Sequence, residues 1–374
     1  MKRLPAYALS LALLLSGCGG SVDPDEAQES IQVIAMDTAM LITTYGERSP
    51  AAAYACEDVI RDLEKQLSRT DPESAVSRLN ASGGEPVEVG EDLGVLFELA
   101  KYYRRSTGGA FNIAIAPVVS AWGFAGGEEY RVPSRGELDR LLELVDGSQV
   151  SMTPSFDSNG DGPKATVRLG PGQAVDLGGI AKGYAADKIV SVLQEYEVPR
   201  ANINLGGNVL AYGDRPGGTA WRVGVQDPAR AGQQNAFAGV LELTDAFAVT
   251  SGGYQRYFEQ DGKTYHHIID PSTGYPADSG LTSVTVVAGL GEGDGSDFPG
   301  AMCDAYSTAL FIMGEERALA FWRDEMRRGE EGCPFDLVLV TEDGRVVVTE
   351  GLAERFTPDE SSGYALEIAA REAA

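Results

Sequence analysis

The two histidines of the chain, His266 and His267, are adjacent within the segment 263–276, KTYHHIIDPSTGYP. Because the protein has no other imidazole, a general base of this type must be one of these two residues. In a strand the two side chains would face opposite sides, so at most one would point into a given site. The turn sequence from Asp270 to Gly274 is equally typical of an exposed loop with two solvated histidines.

A glycine pair, Gly178-Gly179, precedes a predicted helix that begins near Ala181. Such a turn points free backbone N–H groups and the positive end of the helix dipole at an anion, and Lys182 adds a formal positive charge. The pattern indicates a phosphate site. The spacing is not that of a GxGxxG loop, however, and glycine pairs also precede helices that bind nothing.

Asp304 and Thr308 lie four residues apart in the segment GAMCDAYSTALFIMG, residues 300–314. On one helix face they would offer a carboxylate and a hydroxyl, a partial shell for Mg²⁺, which takes its remaining oxygens from water and substrate phosphates. The alternative is that Asp304 caps its own helix and Thr308 bonds back to it.

The segments that must position these residues alternate strand-like runs with glycine turns, without regular βαβ alternation. This predicts an α+β fold with a mixed or antiparallel sheet and flanking helices. A strand over 31–45 is expected to lead into the first helix. The predicted helices are 50–67, 92–106, 136–145, 181–196, 305–313 and 315–328, and 110–122 is an apolar run broken by Pro117. The later predicted strands are 175–177, 203–205, 221–225, 240–243, 247–250, 283–287 and 337–340.

Composition restricts the function. The 374 residues are 43% hydrophobic and 23% charged, which is typical of a folded globular protein. The formal charge of −26 would repel a nucleic-acid backbone over most of the surface, so nucleic-acid binding is excluded.

The N-terminus predicts export. Residues 1–17 form a signal peptide with Lys2 and Arg3 before an apolar run, and a lipobox ends at Cys18. The apolar run is short for a bilayer of roughly 30 Å, which disfavours the alternative of an uncleaved transmembrane anchor. We therefore expect a bacterial-type lipoprotein, acylated at Cys18, with residues 18–30 as a flexible tether and the remainder on the periplasmic side of the membrane.

With Cys18 acylated, three cysteines remain, Cys56, Cys303 and Cys333, so complete pairing is excluded. A Cys303–Cys333 bridge is one alternative in an oxidising compartment. Within residues 151–164, Asp157 to Gly162 match the first half of a calcium loop, but Arg168 stands at the twelfth position where a bidentate Glu is required. A solvated surface turn is the favoured interpretation there.

Eight segments occur in a fixed order over residues 31–350. They are MDTAMLI (36–42), SRTDPESAVSRLN (68–80), TGGAFNIAIAPVVSAWGF (107–124), DLGGIAKGYAAD (176–187), NINLGGNVLAYG (202–213), TSGGYQRYF (250–258), HHIIDPSTGYP (266–276) and CDAYSTALFIMG (303–314). In this order and spacing the chain resembles the FAD:protein FMN transferase family, ApbE, and the lipobox agrees with that family. The resemblance implies one catalytic domain over 31–355, followed by a C-terminal tail over 356–374.

The resemblance also implies roles for individual residues. FAD would be the substrate, with its pyrophosphate near the turn at 178–184 and Lys182 offsetting phosphate charge. Mg²⁺ would be held by the carbonyl of Ala181, the carboxylate of Asp304 and the hydroxyl of Thr308. His267 would be the general base that activates a Ser or Thr hydroxyl of an extracytoplasmic flavoprotein acceptor, with AMP leaving. The implied FAD contacts are Met36, Ala110, Phe111, Asn112, Gly178, Tyr184, Ile268 and Ser307.

Two residues depart from the family pattern. Asp37 stands where the opening motif usually has glycine, and Asn112 stands where it usually has aspartate. If the backbone at residue 37 requires a positive φ, Asp tolerates it better than most residues. Neither departure falls on a proposed metal ligand, so we expect activity to survive.

Two other functions compete with FMN transfer. Water in place of the acceptor hydroxyl would make the protein an FAD pyrophosphatase that releases FMN and AMP. A lipoprotein that binds FAD without catalysis would need no metal and base together, so Asp304, Thr308 and His267 argue against it.

Overall fold

The computed structural model describes residues 27–126, 129–156, 163–291, 298–328 and 334–372. The helices are α1 (Ser49–Leu67), α2 (Ala75–Asn80), α3 (Glu91–Ser106), α4 (Ala116–Ala121), α5 (Arg135–Leu142), α6 (Ala181–Glu195), α7 (Pro299–Met313) and α8 (Glu315–Arg327). The strands are β1 (Gln28–Ala35), β2 (Thr38–Tyr45), β3 (Val87–Gly90), β4 (Ser151–Phe156), β5 (Pro163–Arg168), β6 (Arg200–Asn204), β7 (Asn208–Tyr212), β8 (Trp221–Gln226), β9 (Phe237–Leu243), β10 (Ala246–Gly252), β11 (Tyr257–Gln260), β12 (Lys263–His266), β13 (Leu281–Gly289), β14 (Asp336–Thr341), β15 (Arg345–Thr349), β16 (Phe356–Pro358) and β17 (Ala365–Ala369).

The predicted α+β class and mixed sheet are confirmed. Nine strands form a central sheet in the order β1-β2-β6-β7-β10-β13-β14-β15-β17, in which every pairing is antiparallel except β15 with β17. Smaller sheets have the orders β16-β9-β8, β3-β5-β4 and β11-β12.

The central sheet separates two hydrophobic layers, as the period-2 alternation of strand side chains requires. In β14, Leu337 and Leu339 pack into the layer that contains α1, α6 and α7, whereas Val338 and Val340 pack toward the β16-β9-β8 sheet. The middle strands, such as β13 and β14, are therefore buried on both faces, and α6 and α7 lie side by side over β7, β10 and β13.

The opening segment is a hairpin and not the single strand expected over 31–45. β1 and β2 pair in register from Gln28↔Tyr45 to Ala35↔Thr38, and only Met36 and Asp37 connect them. Their φ values of 48° and 60° match a type I′ turn, which needs positive φ at both central residues. β1 also begins at Gln28, inside the predicted tether.

The C-terminal segment 356–374 is not a tail over its described part. β16 pairs with β9, and β17 pairs in parallel with β15 at the edge of the central sheet. The first four residues of β17 are exposed, including Leu366 and Ile368, which alternate with Glu367 in a run of only five residues.

Three other segments differ in the structure from what the sequence predicted. Residues 175–177 are not a strand, because Asp176 N–H donates to Ile113 O at 2.8 Å in place of a ladder bond. α7 begins six residues before the predicted 305. The apolar run 110–122 forms a 3₁₀ turn and then α4, with Pro117 in the first turn of that helix, where its missing N–H costs nothing.

Cys56 and Cys303 carry free, buried thiols, so Cys303 is not in the disulfide considered above; Cys333 lies outside the described ranges. The signal peptide, Cys18 and the calcium-loop residues Asp157 to Gly162 also lie outside them. Among the helices of the described ranges, none is both long and apolar enough to cross a membrane.

Candidate active site

The site begins where α6 and α7 approach each other closely. A Cβ on Gly183 would lie 2.1 Å from Gly300 O and 2.8 Å from the Cβ of Asp304, so only glycine fits at this contact. Each helix also caps the N-terminus of the other. Asp304 Oδ2 accepts from Gly183 N–H at 2.9 Å, while Asp187 accepts from the N–H groups of Gly300 and Ala301 at 2.7 and 2.8 Å.

This capping fixes the orientation of the Asp304 carboxylate. The residue is 3% exposed, and its second oxygen, Oδ1, lies 3.7 Å from Lys182 Nζ. Lys182 Nζ also donates to Gly178 O at 3.2 Å. Asp304 therefore caps α6 and not its own helix, which corrects the alternative considered from sequence, and its free oxygen faces positive charge.

Ala181, Asp304 and Thr308 all line one cavity of about 880 Å³. This size is within the range of about 300–1,000 Å³ that is usual for ligand sites. A carbonyl, a carboxylate and a hydroxyl are the hard oxygen donors that Mg²⁺ prefers. Within the described ranges, no group of three or more His, Cys, Asp and Glu side chains is placed to hold a metal. A cation beside Asp304 would therefore have few protein ligands and would take its remaining ligands from water and substrate oxygens.

The cavity collects most of the predicted site residues. Besides the three oxygen donors, the lining includes Lys182, His267, Met36, Ala110, Phe111, Asn112, Gly178 and Ile268. Tyr184 and Ser307 do not line it. Tyr184 is buried and donates its hydroxyl to Asp92 Oδ1 at 2.8 Å on α3, and Ser307 is buried behind Thr308.

Of the two histidines, only His267 lines the cavity. Both ring nitrogens of His266 are already hydrogen-bonded, because its Nε2–H donates to Ala277 O at 3.1 Å and its Nδ1 accepts from Ile268 N–H at 3.3 Å. His267 Nδ1 lies 3.2 Å from Arg256 O. A carbonyl can only accept, so Nδ1 carries the proton and Nε2 is the unprotonated nitrogen.

Burial, with the positive charge of Arg256 as the next cause, lowers the pKa of His267 to about 3. The imidazole is therefore neutral at physiological pH, which is the state in which Nε2 can take a proton. The position of His267 in the cavity wall and its unprotonated Nε2 suit a general base, although a pKa of about 3 makes this nitrogen a weak one.

The two departures from the family pattern have local explanations. Asp37 adopts φ 60°, a conformation that Asp tolerates, as expected. The Asn112 amide accepts from Ala114 N–H at 3.0 Å and donates to Val145 O at 2.7 Å. A carboxylate at residue 112 could make only the first of these bonds.

Sequence reasoning missed several cavity residues, although their segments belong to the eight matched above. Arg69 Nη1 lies 3.2 Å from Asp176 Oδ2, and Asp176 Oδ1 accepts from Gly178 N–H at 2.8 Å, so this ion pair supports the glycine turn. Arg69, Lys182 and Arg256 bring three cations to the cavity wall, which also carries four carboxylates, those of Asp37, Glu64, Asp176 and Asp304. The other missed residues include Asn204, Gly206, Gly207, Ser251 and Tyr254.

The fold and the site define an α+β protein with one cavity that combines a glycine turn at a helix N-terminus, cationic side chains and hard oxygen donors, which together suit a phosphate-bearing ligand with a divalent cation. The model of the ApbE family matches residues 36–330. The FAD:protein FMN transferase of Treponema pallidum is 35% identical over 91% of both chains. That of Klebsiella pneumoniae is 34% identical over 91% of this chain and 97% of its own.

Solved structures agree with the sequence relatives. The ApbE protein of Thermotoga maritima superposes with a TM-score of 0.75 at 30% identity, covering 88% of this chain and 99% of its own. The flavin transferase ApbE of Vibrio cholerae gives a TM-score of 0.70 at 25% identity, over 88% and 99% of the two chains. The chain belongs to the ApbE family.

Proposed function

We propose that this protein is a Mg²⁺-dependent FAD:protein FMN transferase, which moves FMN from FAD to a Ser or Thr hydroxyl of an acceptor protein and releases AMP. One observation carries the proposal. A single cavity joins an unprotonated imidazole nitrogen on His267, three hard oxygen donors around Asp304 and three cationic side chains. The named activities of the relatives support the same reaction.

The reaction is a phosphoryl-type transfer. The acceptor oxygen forms a bond to the phosphorus on the FMN side of the pyrophosphate, and the bond from that phosphorus to the bridging oxygen breaks, so that AMP leaves. His267 Nε2 takes the proton of the acceptor hydroxyl. The imidazolium can then give this proton to the departing phosphate of AMP or to water. The products are a phosphoester-linked FMN and AMP.

The residues of the chain have separate tasks in this proposal. Lys182 and the turn at Gly178-Gly179 bind the pyrophosphate, Arg256 adds positive charge, and Arg69 supports the turn through its ion pair with Asp176. Ala181, Asp304 and Thr308 would hold Mg²⁺, which, when bound, stabilises negative charge on phosphate oxygens. Arg256 O holds His267 in the tautomer that leaves Nε2 free. Holding both reactants in one cavity supplies much of the remaining rate enhancement.

The proposal includes a place of action. The lipobox at Cys18 and the tether after it support a lipoprotein held at a bacterial membrane, with the catalytic domain on the periplasmic side. The acceptor would then be a flavoprotein that exposes its Ser or Thr on the same side. Globomycin, which blocks lipoprotein signal peptidase, tests this step: an uncleaved precursor should accumulate, and unchanged processing would remove the lipoprotein assignment.

The activity is tested by incubating the protein with FAD, Mg²⁺ and a candidate acceptor, and then separating FAD, FMN and AMP by chromatography while protein-bound flavin is followed by in-gel fluorescence. A transferase gives AMP with bound flavin and no matching free FMN. Equal free FMN and AMP would identify an FAD pyrophosphatase. Intact FAD that stays bound to the protein would identify a carrier. A Ser/Thr→Ala acceptor is the matched control.

A further inference from the structure

The hydroxyl of Thr308 belongs to a chain of hydroxyl groups that links β10 to α7. Ser251 Oγ, on β10, lies 3.2 Å from Thr308 Oγ1 and 2.8 Å from Ser307 Oγ. Ser307 Oγ in turn donates to Asp304 O at 2.9 Å. Ser251 and Thr308 line the cavity, whereas Ser307 is fully buried behind them.

The directions of these hydrogen bonds follow from counting protons. Each hydroxyl has one proton, and a carbonyl oxygen can only accept. Because the proton of Ser307 goes to Asp304 O, Ser251 must donate to Ser307. Because the proton of Ser251 is then used, Thr308 must donate to Ser251. With three protons for three hydrogen bonds, only this set of directions satisfies all of them.

This order decides what Thr308 offers to the cavity. Its proton is used by Ser251, so the lone pairs of its oxygen stay available in the cavity that Asp304 and Ala181 also line. A hydroxyl that ligates a cation must direct its lone pairs, and not its proton, at the ion. The oxygen of Thr308 is held in the state that a cation requires.

We propose that Ser251 is a positioning residue, which sets the direction of the Thr308 hydroxyl so that its oxygen accepts a divalent cation. The inference rests on the proposed function, because it assumes the cation beside Asp304. Ser251 does not ligate the cation itself. It acts through Thr308, as the groups behind metal ligands commonly do, at a cost of about 10–100-fold in affinity when such a group is removed.

The test is a Mn²⁺ titration of the full-length protein, in which electron paramagnetic resonance counts the free ion. Mn²⁺ is used because it prefers the same oxygen donors as Mg²⁺. Ser251→Ala should weaken binding by about tenfold. Ser251→Thr keeps the hydroxyl in a strand position that accepts β-branched residues, and it should restore binding to within a factor of about two.

Two further variants separate positioning from packing. Ser307→Ala leaves Ser251 in place but frees its proton to turn toward Thr308 Oγ1, so it should also weaken Mn²⁺ binding, and it decides the question if Ser251→Ala does not fold. Ser283→Ala is the matched control, because Ser283 is a buried hydroxyl on the neighbouring β13, without a hydrogen-bond partner in the described structure and outside the cavity lining. It should leave Mn²⁺ binding unchanged.

Asp304→Ala distinguishes the ways in which the inference fails. Native binding in Ser251→Ala and Ser307→Ala, with binding lost in Asp304→Ala, would overturn the role of Ser251 and leave the cation site standing. Native binding in Asp304→Ala would place the cation elsewhere, and both the metal assignment and the inference would fall.

Discussion

Replacing Gly183 with alanine would test whether the close contact between α6 and α7 builds the site. The added Cβ would meet Gly300 O at 2.1 Å, the Gly300 carbonyl carbon at 2.6 Å and the Asp304 Cβ at 2.8 Å. Backbone atoms lie on the other side of this contact, so no flexible side chain can move away. The two helices must separate, and the bond from Gly183 N–H to Asp304 must lengthen.

Three effects contribute to the change in the free energy of unfolding. Alanine favours a helix over glycine by about 1 kcal/mol. Overpacking costs about 1–3 kcal/mol. Weakening a buried hydrogen bond to a carboxylate costs about 1.5–3 kcal/mol. The clash and the lost bond outweigh the propensity, so Gly183→Ala should destabilise the protein by about 1.5–5 kcal/mol.

The assay is urea unfolding followed by tryptophan fluorescence, with Gly94→Ala as the matched control. Gly94 is also a buried helical glycine, but a Cβ there would lie 3.4 Å from the Cβ of Ala165, an ordinary contact. Gly94→Ala should therefore stabilise the protein by about 0.5–1 kcal/mol. If Gly183→Ala were as stable as Gly94→Ala, the close approach of the helices would not be what orients Asp304.

Three further predictions concern the proposed chemistry. Asp304→Asn keeps the shape of the side chain but removes its charge, so the Mg²⁺ concentration for half-maximal turnover should rise by at least about tenfold; an unchanged Mg²⁺ dependence would remove Asp304 from the metal site. His267→Ala should lose FMN transfer while FAD binding, measured by flavin fluorescence, persists; lost binding would make His267 a substrate contact. Because the pKa of His267 falls from 6.5 to about 3 on folding, the native state binds fewer protons than the unfolded state. The stability that depends on neutral His267 is fully present above pH 6.5 and declines as the pH falls toward 3. The free energy of unfolding of His267→Ala, measured in urea, should therefore depend less on pH between 3 and 6.5 than that of the native protein. Equal pH dependence of the two would contradict the lowered pKa.

The sequence predicted elements best where one period dominates. In α1, the apolar positions Ala53, Cys56, Ile60, Leu63 and Leu67 repeat at helical spacing, and all of them are buried. The prediction failed at the edge of the sheet, where β17 is a short strand of five residues, four of them exposed. It also missed the turn at Met36-Asp37, because neither residue is the glycine that usually marks a positive φ.

The site was predictable residue by residue but not as an arrangement. The spacing of Asp304 and Thr308 suggested them as candidate metal ligands, yet the group that orients Asp304 is the N–H of Gly183, 121 residues away along the chain. The residues alone left the choice between His266 and His267 open; the resemblance favoured His267, and in the structure only His267 lines the cavity. Tyr184 was misplaced by the motif, which suggested a contact with FAD. In the structure its hydroxyl bonds to Asp92, and the residue does not line the cavity.

Intact-protein mass spectrometry of an acceptor flavoprotein, incubated with this protein, FAD and Mg²⁺, tests the central claim most directly. The acceptor should gain the mass of one FMN less one water. Fragmentation should place the addition on a Ser or Thr, and the gain should disappear without Mg²⁺ or with Asp304→Ala. An acceptor that gains FMN equally with Asp304→Ala and in the presence of a chelator would contradict the account.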